Sequence, residues 1–220
     1  MSMRELLGTL KESYPDFGLE DAGVAVEEKE YGYFVGLTEE QLNKLLDEFS
    51  ECEKESFLEA RAPCNIDDMK ARVREYYEAD GVTVDKRVYT VKKFGAADYG
   101  RTKLEEDNDI GEFGFLALLS TAPNYNTRVR IKIPSVVRTT GETRKKRDGS
   151  DLCWEIDIFN TKEGKPSLWV KAEMEVDVLA VDDIRQILPF EYTEIIDADT
   201  SDETEREFID NLYKVEYNQR

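Results

Sequence analysis

Histidine is absent from this 220-residue chain. Its absence excludes Ser-His-Asp and Cys-His nucleophilic catalysis, the H-E-x-x-H zinc motif and mixed histidine and carboxylate metal sites. Cysteine is scarce: Cys52, Cys64 and Cys153 are odd in number and far apart, which speaks against a disulfide framework or a C-x-x-C site. No apolar run approaches the roughly 18 residues of a membrane span, and "MSMRELLGTLKESYPDF" lacks the basic start and apolar stretch of a signal peptide. The expectation is a soluble cytoplasmic protein with no membrane contact. A glycine-rich phosphate loop is missing too, since "EGKPS" has neither the upstream glycine nor the following helix. Any chemistry must come from carboxylates, cations and a hard metal.

Charge is plentiful and unevenly spread. The formal net charge is −19; residues 1–59 contribute −11 and residues 191–210 contribute −8, so the rest is neutral overall. Within that neutral part, residues 128–147 carry eight basic side chains against Glu142 alone. So acidic a surface excludes general duplex nucleic-acid binding, which needs a basic face, but leaves room for a local site for a phosphorylated ligand.

Residues 1–50 read as an acidic, mainly helical segment. Its clearest element begins at Thr38, where "TEEQ" forms a capping box ahead of Leu42, Leu45, Leu46 and Phe49. Residues 51–220 read as a second unit. "SFLEARAPC" alternates as a strand, "NIDDMKARVREYYEADG" predicts a helix capped by Asn65, and "KRVYTVKKF" predicts another strand. Residues 95–125 give little pattern, though "FGFLALL" must be buried somewhere. Three strands follow in "TRVRIKIP", "DLCWEIDIF" and "SLWVKAEMEVDVL", and "SDETEREFIDNLYKVEY" predicts a closing helix.

The polar faces of these strands are unusual because they are almost wholly charged. Glu59 and Arg61 share one face of their strand; so do Arg128, Arg130 and Lys132, Glu155 and Asp157, and Lys171, Glu173, Glu175 and Asp177 on theirs. An α+β fold accounts for this: an antiparallel β-barrel whose charged side faces a lumen, with helices at 65–80 and 201–214 packed outside. Glutamates inside would bind Mg²⁺ or Mn²⁺, while facing arginines and lysines would hold phosphate oxygens.

"WEIDIF", followed about a dozen residues later by "VKAEMEV", resembles the bacterial CYTH proteins, a branch of the triphosphate tunnel metalloenzymes. "RVRIK" is similar to that family's R-x-R strand, and "TRKKRDGSDLCWEIDI" to segments of viral and fungal RNA 5′-triphosphatases. The family's first strand carries E-x-E-x-K; the nearest match, Phe57, Glu59 and Arg61, has Phe at the first glutamate. The resemblance implies that Glu59, Glu173 and Glu175 act in catalysis by binding Mg²⁺ or Mn²⁺, with Asp157 and Glu155 orienting cations or holding a second metal through water. It implies further that Arg61, Arg128, Arg130, Lys132, Lys171 and Lys146 neutralise a triphosphate.

The implied activity is metal-dependent hydrolysis of a nucleoside triphosphate, an RNA 5′-triphosphate or inorganic triphosphate, with adenylyl cyclase activity as a variant. Two alternatives stay open: a non-catalytic tunnel that binds or sequesters a phosphorylated ligand, and an acidic interaction module whose N-terminal segment engages a basic protein partner.

Overall fold

The computed structural model describes residues 28–62, 69–95, 102–122, 124–137, 140–146, 149–161, 163–177, 188–197 and 215–216. Its strands are β1 (Glu28–Gly36), β2 (Glu53–Ala62), β3 (Met69–Tyr77), β4 (Val84–Gly95), β5 (Thr102–Asp109), β6 (Asn124–Pro134), β7 (Cys153–Asn160), β8 (Pro166–Asp177), β9 (Glu194–Asp197) and β10 (Val215–Glu216). Two helices accompany them among the described residues: α1 (Glu39–Glu48) and α2 (Glu112–Thr121). Neither is long and apolar enough to cross a membrane.

All strand pairs are antiparallel, in the order β5-β4-β3-β2-β6-β7-β8-β1-β9, with β10 paired to β6. Of the expected barrel, the antiparallel sheet is present but open among the described residues. Cα atoms of β5 and β1 come within 8 Å of each other, so the sheet curls, but among the described residues no ladder joins the two ends.

Alternation sorts the side chains as period-2 geometry requires. Ile131, Ile133, Trp154, Ile156, Ile158, Val170, Ala172, Met174 and Val35 form one outer core, covered by Leu42 and Leu45 of α1. The capping box that starts α1 is present: Gln41 N–H donates to Thr38 Oγ1 at 3.1 Å, and Thr38 N–H donates to Gln41 Oε1 at 2.9 Å. A second outer core packs Leu58, Ala60, Val73 and Tyr125 against Phe115 and Leu119 of α2. The "FGFLALL" segment is thus a covering helix.

Two further expectations change. Where a helix is expected at 65–80, Met69–Tyr77 is the strand β3, and residues 65–68 lie outside the described residues. Met69, Val73 and Tyr77 lie four apart, a spacing that shares a face in a helix and equally in a strand, so the pattern alone could not separate them. Within residues 1–50, Glu28–Gly36 is a strand paired to β8. Residues 1–27 and the closing helix expected at 201–214 lie outside the described residues, and residues 215–216 are strand.

Candidate functional site

The charged faces point inward. Asp157 has 0% exposure and Arg128 6%, although both cores and both helices lie on the opposite side of the sheet. The register arranges this inner face in rows across the strands. Arg72 stands opposite Arg61, and the next row holds Arg74, Glu59 and Asn126. Tyr76, Phe57, Arg128 and Phe159 follow, then Glu55, Arg130, Asp157 and Lys171. After them come Glu53, Lys132, Glu155, Glu173 and Gly32. The final rows pair Glu175 with Glu30 and Asp177 with Glu28.

At the arginine end, Arg74 Nε donates to Glu59 at 2.7 Å, Arg128 Nη2 pairs with the same carboxylate, and Arg72 Nη1 lies 3.8 Å from it. Asp157 accepts from Arg128 Nη1 at 2.6 Å and from Arg130 Nε and Nη2 at 2.7 and 3.0 Å. Burial pushes both carboxyls upward, but Arg128, Arg74 and Arg72 at Glu59, and Arg130 and Arg128 at Asp157, outweigh it and hold them below the ordinary range. Burial opposes the charge on Arg130, yet Asp157, Glu155 and Glu173 keep its proton affinity well above normal. Phe57, 1% exposed, lies among these guanidinium groups, with Arg74, Arg128 and Arg130 at 4.7, 4.9 and 5.6 Å from its ring centroid.

At the other end the signs no longer alternate. Glu155 and Glu173 stand directly opposite each other, an unfavourable like-charge pair. Burial first, and then the carboxylates of Asp157, Glu175 and Glu173, push the Glu155 carboxyl upward despite its contact with Arg130. Glu173 pairs with Lys171 and lies 3.8 Å from Arg130 Nη2. Lys132 donates to Glu53 and Glu55 at 2.7 and 2.9 Å, which overcomes burial and raises its proton affinity. A cavity of about 540 Å³ opens here, lined by Lys132, Lys146, Cys153, Glu155 and Glu175. That volume is in the range of small-molecule sites, roughly 300–1,000 Å³.

The structure therefore brings Glu59, Arg128, Arg130 and Asp157 into one buried cluster, with Lys171 and Glu173 beside it and Lys132, Lys146 and Glu175 around the cavity. Arg61 lies exposed at the far end of β2. Glu59 is not beside Glu173 and Glu175, because β6 and β7 separate β2 from β8. The strand that does border β8 is β1, and it brings Glu28 and Glu30 to register positions opposite Asp177 and Glu175. Sequence reasoning missed these residues by placing them in a helical segment. The signal was present: Glu28 and Glu30 alternate with Lys29, Tyr31, Tyr33 and Val35, giving E-x-E with Gly32 at the position of the expected lysine.

Among the residues with described side chains, no three His, Cys, Asp or Glu groups stand together so as to hold a metal ion. Glu59 and Asp157 do not suit that role, because their oxygens already accept from arginines. At the opposite end burial first, and then Asp157, Glu175 and Glu173, raise the proton affinity of Glu155. In register, Glu28 of β1 lies opposite Asp177 and Glu30 opposite Glu175 at the same end of the sheet, and carboxylates are residue types that suit hard divalent cations.

No protein-family model and no curated protein matches the chain. Among solved structures it is similar to the inorganic triphosphatase NE1496, with 17% identity and a TM-score of 0.43 over 81% of this chain and 91% of that one. It is also similar to the PH1819 protein of Pyrococcus horikoshii, with 17% identity and a TM-score of 0.43 over 72% and 81% of the two chains. A third is HpAC1 from Hippeastrum, described as a "putative adenylyl cyclase" that reveals a dominant triphosphatase activity, with 13% identity and a TM-score of 0.39 over 76% and 100%. NE1496 and HpAC1 are of the CYTH type that the sequence motifs resemble, and a likeness at these identities and TM-scores assigns no residue of this chain a role.

Proposed function

We propose that the protein is a divalent-cation-dependent hydrolase of a linear triphosphate, the substrate being a nucleoside triphosphate, an RNA 5′-triphosphate or inorganic triphosphate. One observation carries this reading: along a single inward face, guanidinium rows give way to carboxylate rows. A polyanion that carries a cation at one end is the ligand such a gradient matches. Arg128 and Arg130, with Arg72, Arg74 and Lys171, neutralise phosphate oxygens, and Lys132 and Lys146 do the same from the cavity wall. Glu59 and Asp157 hold the arginines in place.

Glu173 and Glu175, with Glu28 and Glu30 of β1, would hold Mg²⁺ or Mn²⁺. When bound, the cation would withdraw charge from the terminal phosphate and bring a water to it. Glu155, whose carboxyl keeps its proton more readily than usual, stands on the same face to hold or receive a proton at its side-chain oxygen.

The test is phosphate release from a panel of triphosphates with Mg²⁺ or Mn²⁺, read together with thermal shift. Turnover abolished by Glu173→Ala or Glu175→Ala supports the enzyme. Stabilisation without turnover selects the non-catalytic binder, and no response to any phosphate ligand leaves the acidic interaction module.

A further inference from the structure

Phe57 occupies a position that is hard to explain as packing alone. Its neighbours on the inner face are cations: Arg128 directly opposite on β6, with Arg74 and Arg130 on either side. Burial and the nearby Arg130 both oppose the charge on Arg74, and Glu59 and Tyr76 outweigh them and raise its proton affinity. Glu59 and Asp157 offset part of that repulsion, and the electron-rich faces of aromatic rings offset more. Tyr76 extends the platform: its ring lies 5.2 Å from that of Phe57, and its hydroxyl accepts from Arg74 Nη1 at 3.2 Å. Arg128 is also 4.8 Å from the Phe159 ring, so aromatic faces hold it from two sides. Both of its terminal nitrogens are engaged by carboxylates, and its buried Nε–H finds no acceptor among the described residues.

We infer that Phe57 is a positioning residue of the phosphate site: its ring holds Arg74, Arg128 and Arg130 as a preassembled cationic cradle that the incoming triphosphate need not organise. The inference rests on the reading of this face as a triphosphate site. An apolar side chain of similar volume would fill the space, yet would leave the guanidinium groups to spread or turn toward water. Ordering them would then be charged to ligand binding. Glu175 and the β1 positions Glu28 and Glu30 lie on other strands, and Arg130, through Glu155 and Glu173, is the link between the two ends.

The experiment compares Phe57→Leu, which keeps apolar volume without a π face, with Phe57→Tyr, which keeps the face. Tripolyphosphate affinity is measured by calorimetry in Mg²⁺, alongside KM, kcat, Mn²⁺ affinity and thermal unfolding. Phe57→Leu should weaken tripolyphosphate binding about tenfold, raise KM more than it lowers kcat, and leave Mn²⁺ affinity unchanged, while Phe57→Tyr stays near wild type. Wild-type affinity in a folded Phe57→Leu protein, or equal weakening in both variants, overturns the inference. Should Phe57→Leu fail to unfold cooperatively, Phe57→Met asks the same question with a more adaptable side chain. If the wild-type protein binds no tripolyphosphate with or without metal, the triphosphate reading itself falls and this inference with it. If wild type binds but Phe57→Leu binds equally well, only this inference falls.

Discussion

At one end of the inner face, Arg72, Arg74, Arg128 and Arg130 close on Glu59 and Asp157; at the other, Glu155 meets Glu173 across two strands and Glu175 stands beside them. Both ends are built from strand residues spaced by two, and both gather like charges. They differ in how completely those charges are answered. The arginine end surrounds its carboxylates so fully that they are held below the ordinary range, whereas the carboxylate end leaves Glu155 pushed upward. The first is a preassembled set of cations held by its own anions. The second leaves Glu155, half-buried among Asp157, Glu175 and Glu173, with a raised affinity for a proton.

The comparison can be broken most severely at Asp157. Asp157→Ala leaves Arg128 and Arg130 buried without their shared carboxylate and should cost about 3–5 kcal/mol of stability, measured by urea unfolding. The corresponding change at the carboxylate end should act on activity. Glu30→Gln and Glu175→Gln should each lower Mg²⁺-dependent phosphate release about 100-fold while the unfolding midpoint barely moves. A loss of stability comparable to that of Asp157→Ala would instead make this end structural.

The pH dependence of stability sharpens the contrast because the two ends shift in opposite senses. Glu59 and Asp157 bind protons less readily when folded, so the stability they contribute is complete above the unfolded values of about 4 and is lost as pH falls toward their depressed native values. Glu155 binds its proton more readily when folded, so its cost is present above its native pKa and relieved as pH falls through it. Glu155→Gln should therefore raise the thermal midpoint at pH 8 and lose that advantage on acidification, a trend that differential scanning fluorimetry across pH would reveal. The smallest effect is expected at exposed Arg61, where Arg61→Ala should change stability by no more than about 0.5 kcal/mol.

Much of the fold was legible wherever one rule applied without competition. The alternation in "TRVRIKIP", "DLCWEIDIF" and "SLWVKAEMEVDVL" matches β6, β7 and β8, and the Thr38 capping box starts α1. Legibility failed where two rules agreed locally. Met69, Val73 and Tyr77 suit a helix or a strand equally, and only pairing with β2 and β4 makes them β3. Around Glu28 and Glu30 an acidic composition suggests a helical segment while the alternation suits a strand, and only pairing with β8 makes them β1.

What the sequence determined by itself was therefore the kind of face: charged residues at every second position, backed by residues too apolar to be left in water. That follows from the two-residue period of a strand and needs no knowledge of its neighbours. Which charges meet was decided only by the tertiary structure. Strand order places β1 beside β8 and sets β2 three ladders from β8, and register puts Arg130 beside Asp157 but Glu155 beside Glu173. Coulomb energies depend on distances between strands remote in sequence, and those distances are fixed by pairing and curl, which no local pattern of residues encodes.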